Sequence, residues 1–151
     1  MKRLMAFLAC SALVLGGNSP LNAVPRDRGT QARQARELVR GLSKADVEWH
    51  FGTLGISAHL TSDRAQKLRK IGEPAIPELI RALADPDKYP SAHAILTEIS
   101  GVEYRFIPYN GMSVTCTAAN EILFRPEERF RLEQRWQRWY SSRPIPKTLP
   151  E

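Results

Sequence analysis

The sequence predicts a mainly helical fold of short, antiparallel helix pairs, and three observations carry that prediction. Ile76, Leu79, Ile80 and Leu83 stand at i, i+3, i+4 and i+7, one unbroken apolar stripe. Pro74 and Pro77 confine the start of that helix, because proline lacks an amide proton and is tolerated only in a helix's first turn. Capping residues and glycines then divide the flanking sequence into segments of helical length. Burying the four stripe side chains contributes about 6 to 12 kcal/mol gross, an upper bound, so neighbouring helices must cover them.

In chain order, Met1-Lys2-Arg3 is a short basic start, and Leu4 to Leu15 is almost wholly apolar but too short to span a bilayer. Leu21-Asn22-Ala23 offers a small residue for cleavage. Residues 1–23 therefore read as a removable signal peptide, which places the mature chain in the periplasm or outside the cell. Cys10 follows Phe-Leu-Ala as in a lipoprotein site, but the apolar run continues past it, which argues against lipidation. Removing the segment leaves 128 of 151 residues, enough for one domain and one modest core. It also removes Lys2 and Arg3, leaving 20 basic against 16 acidic side chains, a net charge of +4. The 42% hydrophobic and 25% charged composition excludes wholesale disorder and a membrane bundle.

Residues 24–30 carry Pro25, Gly29 and mixed charges, and are expected to form a flexible lead-in to a single domain over 31–143. Ala32, Ala35, Leu38, Val39 and Leu42 give the first helix its inner face, with Gly41 as a left-handed C-cap. Ser43-Lys-Ala-Asp46 is a capping-box pattern that predicts a second short helix to about Phe51, ended by Gly52 and Gly55; residues 56–61 carry no assignment. Asp63 with Gln66 starts the next helix, on which Ala65, Leu68 and Ile71 face inward before Gly72. The striped helix begins at about residue 74 and ends at Asp85-Pro86. Pro90 or Ser91 opens another, with Ala94, Ile95 and Ile99 inward and Gly101 as its C-cap.

The period then changes from helical to alternating. Val102, Tyr104 and Phe106, then Met112, Val114 and Cys116, alternate with polar residues and predict a β-hairpin over 102–117 around Tyr109-Asn110-Gly111. A three-residue loop with Gly111 as a left-handed bulge residue places Phe106 opposite Val114 and Tyr104 opposite Cys116; an irregular loop is the alternative. Pro126-Glu127-Glu128 starts the last helix, whose stripe is Leu132, Trp136 and Trp139 or Tyr140. Residues 144–151, with three prolines, are expected to form a disordered tail.

The block Leu68-Arg-Lys-Ile-Gly-Glu-Pro-Ala-Ile-Pro-Glu-Leu-Ile-Arg-Ala-Leu-Ala-Asp85, followed by Ala92-His-Ala-Ile-Leu-Thr-Glu-Ile-Ser-Gly101, resembles HEAT repeats of the PBS-lyase type. That resemblance implies helix pairs stacked as an α-solenoid fragment, and a scaffold whose groove binds a partner. It covers residues 63–101, about a quarter of the chain. Gly101-Val-Glu-Tyr104 and Arg131-x-x-x-Arg135-Trp-Gln-Arg-Trp-Tyr140 are similar to exported bacterial HEAT-like proteins that close with a tryptophan-rich helix. The sequence departs from the family after Gly101, so the hairpin and last helix would serve as a cap. Some lyase-associated relatives act on bilin chromophores, but nothing in this sequence marks a chromophore site.

Family membership carries no catalytic residues, and the residues themselves offer little chemistry. His50, His59 and His93 form no i, i+4 pair, so no metal site is expected, and all three are expected at the surface or partly buried. Cys116, the only cysteine of the mature chain, could pair with a histidine as a thiol dyad, but its place on an apolar strand face favours a small core residue. Arg131, Arg135 and Arg138 beside Trp136 and Trp139 are the best candidate binding surface. Glu127 with Arg131 and Arg129 with Glu133 are at pairing distance, leaving Arg135, Arg138 and Arg143 least compensated. The alternative is a last helix that docks its tryptophans into the core.

The expectation is thus an exported, non-catalytic protein-interaction module without cofactor, its partner another protein. The alternatives are an envelope enzyme using Cys116 or the histidines, and a binder of acidic envelope polymers or lipid headgroups. A nucleic-acid role would need an exposed aromatic and basic face, and the signal segment argues against it.

Overall fold

The computed structural model describes residues 27–102 and 108–143. It is mostly helical, with two small antiparallel strand pairs. The expected signal segment, the expected tail after Arg143 and the expected strand positions Tyr104 and Phe106 lie outside the described residues.

Helix α1 spans Arg28–Arg40, so residues 28–30, expected in the lead-in, are already helical. It buries Ala35 and Val39, as its apolar spacing requires. Gly41 has φ −92°, an ordinary right-handed value, so the expected left-handed cap is corrected. The Ser43–Asp46 box forms: the Ala45 amide donates to Ser43 Oγ at 3.3 Å and the Ser43 amide to Asp46 Oδ2 at 2.7 Å. It caps one 3-10 turn, Lys44–Asp46, and not the expected helix to Phe51.

The chain after Asp46 instead forms a hairpin, β1 Val47–Gly52 and β2 Gly55–Leu60. The physical reason is period-two chemistry. Val47↔Leu60, Trp49↔Ala58 and Phe51↔Ile56 share one face, and Glu48↔His59 and His50↔Ser57 the other. Asp46 joins the base of this hairpin to the start of the next helix. Its carboxylate, 4% exposed with its residue, faces Arg64 Nη1 at 3.2 Å, and its carbonyl accepts from the Thr61 and Ser62 amides.

Helix α2, Asp63–Ile71, is capped by Ser62, whose Oγ accepts from the Ala65 amide at 3.0 Å. The cap is therefore one residue before the expected Asp63, which remains a favourable acid in the first turn. Gly72 turns the chain at φ 71°, Glu73–Ala75 forms a 3-10 turn, and α3 occupies Ile76–Ala82. The predicted stripe is buried along its whole length, with Ile76, Leu79 and Leu83 at 0% exposure.

Helix α4, Tyr89–Ser100, is the centre of the molecule, with every residue from Tyr89 to Thr97 buried. A helix buried on every face must have neighbours on every face. α3, α2, β1 and β2 all pack on it, and Gly101 gives it the expected C-cap, left-handed at φ 62°. α3 packs chiefly against α4, and α1 lies across α2, the proline corner and α3.

Tyr109 to Met112 then form a two-residue turn. Asn110 at φ 43° and Gly111 at φ 92° are both left-handed, and the Met112 amide donates to the Tyr109 carbonyl at 2.9 Å. This corrects the expected three-residue loop: Asn-Gly supplies the two positive φ values that a tight primed turn needs. β3, Val114–Cys116, pairs with β4, Ile122–Phe124, placing Val114 opposite Phe124 and Cys116 opposite Ile122. A 3-10 turn at Pro126–Glu128 leads into α5, Arg129–Ser141, which buries Leu132 and Trp136.

Candidate functional site

The predicted binding residues lie on α5, and the structure divides them. Trp136 is 4% exposed, so it faces the core and not a partner. Its Nε1–H donates to His93 Nδ1 at 2.9 Å. Trp139 is half-buried beside it, ring centroids 5.1 Å apart, with the Arg143 guanidinium over its outer side at 4.6 Å. Arg135 Nη1 donates to the Asn110 carbonyl at 2.6 Å and Arg131 Nη2 to the Gly111 carbonyl at 3.1 Å. Two of the three predicted arginines therefore tie the Asn-Gly turn to α5.

The expected ion pairs also change. Arg131 pairs with Glu128 at 3.3 Å and not with Glu127, and among the described residues no pair joins Arg129 to Glu133. Arg143, expected to be uncompensated, meets Glu73 at 2.9 Å. Arg138 alone of the candidate set points its side chain outward without an ion pair or hydrogen bond among the described residues, beside Gln134, Gln137 and Ser141.

His93 corrects the expectation of surface histidines, because it is 0% exposed. It lies between Trp136 and the Tyr109 carbonyl, which its Nε2 faces at 3.0 Å. An indole N–H can only donate, so Nδ1 must accept and the proton must sit on Nε2. Burial drives the imidazole pKa down to about 4; the Tyr109 carbonyl and Glu128 oppose this, and Arg135 adds to it. Neutral at pH 7 with both nitrogens engaged, it has no lone pair left to act as a base.

The remaining chemistry-bearing groups are dispersed. His50 and His59 meet edge to face on the exposed side of the first hairpin, ring centroids 4.7 Å apart, with Glu48 3.5 Å from His50 Nε2. Cys116 is half-buried at the end of β3, which corrects the core reading, and its thiol faces the Thr117 carbonyl at 3.5 Å. No hydrogen bond joins it to a histidine among the described residues. Nor do any three His, Cys, Asp or Glu side chains among them form a group that could hold a metal ion. No described helix is long and apolar enough to cross a membrane.

An open cleft that no sequence motif signals lies between α1 and α3, with a volume of about 590 Å³. Its central group is Glu78, with a side chain 10% exposed. Arg36 Nε reaches Oε1 from α1 at 3.1 Å, and Arg81 Nη2 contacts the same oxygen from α3. Arg40 and Lys88 extend the basic rim, and exposed Ala84 and Pro86 give it an apolar wall. Arg36 and Arg81 are 45 positions apart, so only the α1 to α3 packing brings them together. No protein-family model, curated protein or solved structure matches this chain.

Proposed function

We propose that the chain is an exported, non-catalytic, HEAT-like scaffold that works as a protein-interaction module. The observation that carries this reading is the contrast between His93 and the cleft cations. The buried imidazole of His93 has both nitrogens engaged in the core, whereas Arg36, Arg40 and Arg81 line an open groove. The helical stacking around α4 and the proline corner at Pro74 and Pro77 support the scaffold part, and the basic-then-apolar residues 1–23 support export. The partner is another protein.

The test uses the full chain as immobilised bait against the envelope fraction of its source cells, beside Cys116→Ser. The expected result is a stoichiometric protein partner retained equally by both baits. Absence of any stoichiometric partner overturns the reading. So does a turnover that Cys116→Ser abolishes while its melting curve is unchanged, which would make the chain an enzyme.

A further inference from the structure

We propose that the cleft between α1 and α3 receives an acidic, partly apolar peptide segment of a partner protein; this rests on the interaction-module reading. Four cations line the cleft, Arg36, Arg40, Arg81 and Lys88, against two carboxylates, Glu78 and Asp85. Asp85 is already committed to its own turn. Burial raises its pKa, but the Asp87 amide and the Lys88 ammonium outweigh this and hold the carboxyl below the usual range. Glu78 is shared by two guanidiniums, which leaves that triad with one positive charge in excess.

The geometry of the sharing matters more than the count. Arg36 engages Glu78 through Nε, and Arg81 through Nη2. The Nη groups of Arg36, and Nη1 and Nε of Arg81, have no other partner among the described residues. Two forks anchored on one buried carboxylate are thus held at the cleft with donor edges left over, and a planar carboxylate is the group that such edges fit. Among the described residues Arg40 pairs only with Glu37, and both side chains are more than 60% exposed, so this screened pair exchanges readily for an incoming acid.

The same groove argues for a peptide over a continuous polyanion. Glu78 and Asp85 would repel a chain charged at every unit, whereas Ala84 and Pro86 reward an apolar side chain beside an acidic one. A volume of about 590 Å³ lies in the range of small-ligand pockets and accommodates a few side chains.

The test measures fluorescence anisotropy of a fluorescein-labelled hexapeptide of alternating leucine and glutamate on the full chain. Its leucine–glutamine counterpart and inorganic polyphosphate serve as comparison and competitor. The acidic peptide should saturate the protein and bind at least tenfold tighter than the neutral one, with affinity falling steeply as salt rises. Arg36→Gln should weaken it at least fivefold. Arg40→Gln, whose pair is exposed and whose fold is not at stake, should weaken it at least threefold, and Arg138→Gln should leave it unchanged. Equal binding of the neutral peptide overturns the proposal. So does displacement by polyphosphate at fewer charge equivalents than the peptide carries, or sensitivity to Arg138→Gln but not Arg40→Gln. If the peptide fails while the bait still retains its partner, the cleft assignment falls and the module stands; if both fail, both fall.

Discussion

The indole Nε1–H of Trp136 donates to Nδ1 of His93 at 2.9 Å, tying the C-terminal helix to the centre of α4 across 43 positions of sequence. The imidazole passes the connection on to the Tyr109 carbonyl at 3.0 Å, so α5, α4 and the Asn-Gly turn share one buried polar contact. A buried polar group is costly to leave without a partner, and here each group's partner lies on a different element.

Acid should break this contact. The folded pKa of His93, about 4, lies below its ordinary 6.5, so the unfolded chain takes up the proton first. Its stability contribution is fully present above about pH 6.5 and is lost as pH falls towards 4, a total of about 3 kcal/mol. His93→Gln takes up no proton and should flatten the pH dependence in that window relative to the parent chain. Urea denaturation at half-unit pH steps checks this, and parallel curves would contradict it.

Trp136→Phe keeps an aromatic side chain but removes the indole N–H, leaving Nδ1 of His93 buried without a partner. The expected loss is about 1 to 3 kcal/mol. A double-mutant cycle with His93→Phe should return a coupling energy of at least about 0.5 kcal/mol. Additive losses in the denaturation midpoints would show that the two side chains act separately.

Gly111→Ala probes the turn that α5 holds. A Cβ there would lie 2.5 Å from Arg135 Nη1, on a backbone at φ 92° that disfavours any side chain. A destabilisation of about 1 to 3 kcal/mol is expected from the strained backbone. Removing the clash with Arg135→Gln in the same chain should recover only part of it. Full recovery by thermal melting would assign the whole cost to the arginine.

Asp46→Ala removes a carboxylate that serves the Ser43 amide and Arg64 together. The loss should be about 1 to 3 kcal/mol, since a cap and a charged hydrogen bond go together. Hydrogen exchange should speed at the amides of the first hairpin and the start of α2 before it speeds in α4. Uniform speeding across the chain would contradict the local role.

Legibility in the sequence tracks the range of the interactions. The stripe at Ile76, Leu79, Ile80 and Leu83, the stop at Gly72 and the cap at Gly101 are local patterns, and the structure contains all three. The first hairpin is also legible, because Val47, Trp49 and Phe51 alternate. The Ser43–Asp46 capping box competes with that alternation and points to a helix, although a capping box satisfies one turn and does not dictate the conformation of the residues after it. At Asn110-Gly111, preserving a face for Phe106 and Val114 favours a bulge, while the residues themselves specify a tight turn. The bond between Trp136 and His93 and the meeting of Arg36 with Arg81 at Glu78 depend on contacts 42 or more positions apart, which no local pattern encodes.

Site-specific photo-crosslinking tests the account most directly, with benzoylphenylalanine at position 40 on the cleft rim or at position 138 on the outer face of α5. Expressed as the full chain in its source cells, the protein should form a discrete protein adduct from position 40 and none from position 138. Adducts from position 138 alone would place the partner on α5 and contradict the account.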